Sequence, residues 1–137
     1  MGKNSKLENA PKYIDESLNM GFDCEIDIWL LNRKIFLGHD SPVHKISMNW
    51  IISRKNKLWI HCKNSDSIRY FLDIKKSLNF FWHQNDLLTL TSKKFLWVHP
   101  GKQPISNSIA VLPELYNDDT TNCIGICSDF ISNYKKI

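Results

Sequence analysis

No apolar run in this chain approaches the roughly 20 residues that cross a bilayer as a helix, so no transmembrane segment is expected. The opening Met1-Gly-Lys-Asn-Ser-Lys6 lacks the apolar centre of a secretory signal, and Lys6 stands where a myristoylation signal takes Ser or Thr. Blocks of like charge are also missing. The 18 Lys and Arg and 14 Asp and Glu are dispersed, and their net charge of +4 argues against a nucleic-acid-binding arm while suiting a small anionic substrate. The 4 cysteines lie in or beside apolar runs, not in a loop-rich framework, which argues against a disulfide scaffold. Cys123 and Cys127 have no second pair at zinc-ribbon spacing. Internal repeats and low-complexity tracts are absent. These absences describe a soluble, cytoplasmic, reduced protein, and 137 residues with 42% hydrophobic and 12% aromatic content fill a single domain, residues 1–137.

The most informative segment present is Gly21-Phe-Asp-Cys-Glu25-Ile-Asp27-Ile-Trp29, followed by Leu37-Gly-His39-Asp40. In a strand, alternate side chains share a face, so Glu25 and Asp27 point the same way. Adjacent carboxylates on a buried strand repel unless a cation lies between them, and oxygen donors suit Mg²⁺ or Ca²⁺, with Mn²⁺ as a further candidate. Periodicity alone also allows the opposite arrangement, with Cys24, Ile26 and Ile28 buried and the carboxylates in water. His39-Asp40 at the end of the next apolar segment places a proton-transfer group beside the pair and favours a site.

Along the chain, Pro11 to Met20 has helical spacing with Pro at its start and Gly21 at its stop. Phe22–Leu31 and Lys34–Leu37 read as strands around an Asn32-Arg33 turn. Ser41–Ser53 reads as a loop ending in a short helix, Leu58–Cys62 as a strand, and Ser65–Lys76 as a helix with Lys75 or Lys76 on its inner offset. Further short strands are expected at Asn79–Trp82, Phe95–Val98, Ser108–Leu112 and Asn122–Cys127. Polar residues follow many of these strands: His39-Asp40, His61 and Lys63, His83 to Asp86, His99, Glu114, and Ser128-Asp129. Functional groups at many strand ends are the habit of a closed (β/α) barrel. The expected fold is therefore a compact, incomplete TIM-type barrel, predominantly parallel, with helices reduced to loops, because a full barrel takes about 250 residues.

Leu7-Glu8-Asn9-Ala10, Glu25-Ile-Asp27, His39-Asp40 and Gly125-Ile-Cys-Ser-Asp129, in this order, resemble the glycerophosphodiester phosphodiesterases, relatives of the phosphatidylinositol-specific phospholipases C. The resemblance implies that Glu25 and Asp27 hold a divalent metal ion, that His39 is a catalytic histidine, that Lys63 faces the phosphate, and that Glu8 lies close to the site. Asp40, His83, Trp97 and Glu114 are candidate substrate contacts, Trp97 because it lies near a strand end and could wall a pocket.

The departures bear on activity. The family's first strand carries His-Arg-Gly with a second catalytic histidine, and neither His nor Arg precedes Glu8 here. That first strand is read as missing. His61 takes the place of the family's metal-binding Glu on the fourth strand, which brings Zn²⁺ as well as Mn²⁺ into range beside Mg²⁺ and Ca²⁺. His61 could equally be a core histidine. The expected activity is metal-dependent acid/base hydrolysis of a small or lipid-derived phosphodiester; the alternative is a catalytically impaired relative that binds metal and phosphate. A homodimer covering the barrel gap is expected, because an uncovered gap leaves sheet edges open; Met1–Lys6 is the other candidate cover.

Overall fold

A computed structural model describes residues 4–74 and 76–134, and Ser5–Trp82 form one compact unit while the described residues from His83 onward belong to another. Met1–Lys3 and Lys75 lie outside the described residues.

The first unit begins with α1 (Pro11–Asn19), opened by Pro11, whose missing N–H costs nothing in a first turn. Strands β1 (Cys24–Leu31) and β2 (Lys34–Leu37) follow. Asn32 and Arg33, at φ 48° and 61°, both take the left-handed backbone conformation of a two-residue turn whose twist matches the right-handed twist of the paired strands. Leu31 accordingly pairs with Lys34 and Ile28 with Leu37. Next come β3 (His44–Ile46), α2 (Met48–Ile52), β4 (Leu58–Cys62), α3 (Ser65–Asp73) and the two-residue β5 (Phe80–Phe81). The sheet order is β3-β2-β1-β4-β5, with β4 parallel to β1 and β5 parallel to β4.

Alternation along β1 sorts its two faces. Ile26 and Ile28 are fully buried in a core with Ile14 of α1, Phe71 of α3, Ile35 and Leu37 of β2, Ile51 of α2, and Leu58, Ile60 and Cys62 of β4. Glu25, Asp27 and Trp29 take the other face. Asn64 fastens the end of β4 to β1: its side chain donates to the Leu30 carbonyl (2.9 Å) and accepts from the Leu30 amide (3.2 Å), while also capping α3 by accepting from Ser67 N–H (3.1 Å).

The second unit holds β6 (Leu88–Leu90), β7 (Leu96–Val98), β8 (Ser108–Val111) and β9 (Gly125–Cys127) in that sheet order, with only the β6–β7 pair antiparallel.

These two sheets correct the expectation of an incomplete TIM-type barrel. A (β/α) barrel requires parallel neighbours joined by crossovers. Here the two-residue turn after β1 forces antiparallel pairing, β3 adds a second antiparallel pair, and each sheet is mixed, with no closed barrel among the described residues. The homodimer expected to cover a barrel gap rested on that closure and has no footing without it. The helix read to Lys76 ends at Asp73, the three-residue strand β3 lies in a segment read as loop, and the three-residue β6 lies where no strand was expected. Among the described residues no helix is long and apolar enough to cross a membrane.

Burial sets the chemistry of two cysteines in the first unit. Desolvation pushes the Cys62 thiol from 9.0 to about 12 and the Cys24 thiol from 9.0 to about 11. Both therefore stay protonated at pH 8, and iodoacetamide should label them only after unfolding, a difference readable by peptide mass spectrometry in native buffer and in urea. Because the folded values are raised, stability should fall as pH climbs past 9.0, where the unfolded thiols ionise first.

Candidate metal centre

Parallel pairing of β1 with β4 sets Asp27 opposite His61 and Glu25 opposite Trp59, which gathers acidic and imidazole side chains on the face turned away from the aliphatic core. Each of Glu25, Asp27 and His61 offers one donor atom, all within 4.8 Å of one another, a cluster that could hold a metal ion. The His61 Nδ1 lies 2.9 Å from Asp27 Oδ1 and 3.8 Å from Glu25 Oε1. Metal–ligand bonds of about 2.0–2.2 Å put neighbouring donors about 3 Å or slightly more apart, so the donors need move little to share one ion. Phe81 of β5 stacks on the His61 ring at 5.4 Å and 4°, fixing its plane.

Lys63, one residue beyond β4, brings its Nζ to 3.2 Å from Asp27 Oδ1. Its backbone amide donates to the Ile28 carbonyl (2.8 Å), which anchors the chain at that point. Two carboxylates against one ammonium leave the cluster short of positive charge when His61 is neutral. The protein meets that shortage unevenly. Burial, with Asp27 next to it, pushes the Glu25 carboxyl well above the usual carboxylate range, and Glu8 adds to the effect while Lys63 opposes it. Burial would raise Asp27 too, but the His61 hydrogen bond, the charges of Lys63 and His61, and a hydrogen bond from Asn9 together hold it below its ordinary value. Asp27 is stabilised as the anion and its neighbour Glu25 is pushed towards the acid, the expected division for two acids sharing a buried site with too little positive charge for both.

Of the residues singled out in the sequence, Glu25, Asp27, His61 and Lys63 therefore come together. Glu8 is exposed and acts on Glu25 through its charge. His39 and Asp40 lie in the turn after β2, also largely exposed, with His39 Nδ1 2.9 Å from Asp40 Oδ1. That turn is tied to β1, since Gly38 N–H donates to the Asp27 carbonyl (3.2 Å) and the Trp29 indole donates to the Gly38 carbonyl (2.6 Å).

His83, Trp97 and Glu114 belong to the second unit. The His83 ring meets the His99 ring edge-on at 4.4 Å, Trp97 is buried on β7, and Glu114 accepts hydrogen bonds from Ser128 Oγ (2.7 Å) and Tyr134 Oη (3.3 Å).

The residue that sequence reasoning passed over is Asn9. It was visible as part of the Glu8-Asn9 motif, yet it is the buried Asn9, not the exposed Glu8, whose side chain contacts Asp27. Compared with protein-family models, with curated proteins and with solved structures, the chain finds no match.

Proposed function

We propose that this chain is a metal-dependent phosphoric diester hydrolase of the glycerophosphodiester type, acting on a small or lipid-derived phosphodiester. The observation that carries the reading is the Glu25–Asp27–His61 cluster with Lys63 beside it, because a metal centre flanked by an ammonium group suits a phosphate anion. Mg²⁺ and Ca²⁺ remain the leading ions, and the imidazole donor widens the range to Mn²⁺ and Zn²⁺. A bound divalent ion would draw charge from a phosphoryl oxygen. Lys63 supplies a fixed positive charge for a second oxygen. With Nδ1–H given to Asp40, His39 would keep Nε2 as a proton acceptor for the attacking hydroxyl or water.

A second reading has its own support: His39 and Asp40 side chains are 53% and 95% exposed, so water competes for the bond that would orient the base. On that reading the chain binds metal and phosphate without turnover. The two separate in an assay of glycerophosphodiesters and a chromogenic phosphodiester with Mg²⁺, Ca²⁺ or Mn²⁺. The hydrolase reading expects metal-dependent turnover, abolished in Glu25→Ala and reduced about 10²- to 10⁴-fold in His39→Ala. Metal binding with no turnover under any ion supports the binding protein instead.

A further inference from the structure

Asn9 lies 18 residues before Asp27 and is 8% exposed, yet its carboxamide makes two contacts with that one residue. Its Nδ2 donates to Asp27 Oδ2 at 2.8 Å, and its Oδ1 accepts from the Asp27 backbone N–H at 2.8 Å. The backbone at Asn9 is left-handed, φ 59°, a conformation that asparagine tolerates better than most residues, and Pro11 starts α1 two residues later. The loop is thus shaped to aim an amide at a carboxylate. No other side chain of this size makes the same contact: serine would reach with one atom, and aspartate would set a carboxylate against a carboxylate.

The contact divides the two oxygens of Asp27. Oδ2 is committed to Asn9, while Oδ1 faces His61 Nδ1 at 2.9 Å and Lys63 Nζ at 3.2 Å. A carboxylate oxygen has two lone pairs, so the Asn9 bond does not block Oδ2 but makes it the poorer second ligand and disfavours chelation, while an ion at Oδ1 would replace a hydrogen bond from His61 or Lys63. Ca²⁺ takes six to eight oxygens and often uses chelating carboxylates, whereas Mg²⁺ and similar small ions take an octahedral set with single-oxygen carboxylates.

We propose that Asn9 is a positioning residue of the metal centre, holding Asp27 as a one-oxygen ligand and so biasing the site towards Mg²⁺- and Mn²⁺-sized ions over Ca²⁺. The inference rests on the reading of Glu25, Asp27 and His61 as a metal centre, and it goes beyond that reading in assigning the ion preference to a residue that does not touch the ion.

The test compares wild type with Asn9→Gly, which accepts the left-handed backbone and deletes only the side chain, and with Asn9→Asp. Mn²⁺ affinity is read by electron paramagnetic resonance titration, Ca²⁺ by competition. Wild type should prefer Mn²⁺. Asn9→Gly should bind Mn²⁺ about 10- to 100-fold more weakly, the usual loss when a partner that orients a ligand is removed, and its preference for Mn²⁺ over Ca²⁺ should narrow as Oδ2 is released. General loosening would weaken both ions equally, and an unchanged ratio overturns the proposal.

Nuclear magnetic resonance on the wild type gives a reading independent of how the variants fold. The Asn9 side-chain amide should stay hydrogen-bonded and protected from exchange when Mg²⁺ is added, and its release on Mg²⁺ binding would sink the idea. Wild type that binds neither ion overturns the metal reading itself, an outcome told apart because the failure is then already present without any substitution.

Discussion

Asp27→Ala is expected to destabilise the metal-free protein by about 3–5 kcal/mol, while Glu25→Gln, two residues away, should stabilise it. The contrast follows from how the pair is held. Asp27, 3% exposed, is the common acceptor for Asn9, His61 and Lys63, so its removal strands a largely buried ammonium and the Asn9 amide. Glu25 is held less closely: its neighbours Asp27 and Glu8 repel its charged form, Lys63 favours it, and His61 Nδ1 stands off at 3.8 Å. A neutral amide of the same shape removes that repulsion. Both variants should lose divalent-ion binding, because each lacks one of the clustered donors. Thermal melts followed by circular dichroism would therefore rank Glu25→Gln above wild type and Asp27→Ala far below it in EDTA. With saturating Mn²⁺ only wild type should gain, and so the gap between wild type and Glu25→Gln should close or invert. Equal losses for both variants in EDTA would show that the two carboxylates are not divided in the way their surroundings indicate.

The carboxylate pair was legible because a strand has a side-chain period of two, and Glu25-Ile-Asp27 needs nothing beyond that period to share a face. His61 was legible as a candidate too, although its place opposite Asp27 depends on a parallel register that no local pattern encodes. The hairpin of β1 and β2 was written in the Asn32-Arg33 turn. The error lay in reading polar strand ends as barrel loops while that same turn already required an antiparallel pair. Glu25 and Asp27 sit within β1, on its face, not at its end. Strands β3 and β6 escaped notice because they lack the apolar run that marks the equally short β5, β7 and β9, such as Phe80-Phe81-Trp82 and Phe95-Leu96-Trp97-Val98. Asn9 escaped for another reason: its contact spans 18 residues and depends on a left-handed loop, so only assembly of the chain brings it to Asp27.

Gly38→Ala is expected to be among the most damaging single substitutions outside the core, on the order of 3 kcal/mol, and to disable the His39 turn while sparing the metal ligands. Gly38 has φ 152°, and a Cβ there would run into the Ser41 carbonyl oxygen and crowd Val43 N. Both obstacles are backbone, so no change of rotamer relieves them. The turn they belong to is tightly closed, with Val43 N–H donating to the Leu37 carbonyl (2.9 Å) and the Trp29 indole holding the Gly38 carbonyl. Opening it displaces His39 and Asp40, which project from its first residues. Gly21→Ala supplies the control: it also has positive φ, 91°, but a Cβ there meets nothing within 4 Å, so it should cost only the conformational strain of about 1–2 kcal/mol. Mn²⁺ titration of folded Gly38→Ala should find affinity near that of wild type, since Glu25, Asp27 and His61 lie on β1 and β4, while phosphodiester hydrolysis should fall as far as in His39→Ala. Equal stability losses in the two glycine variants would mean that the turn relaxes freely around the added methyl group, and turnover at the wild-type rate in Gly38→Ala would remove the His39 turn from the chemistry.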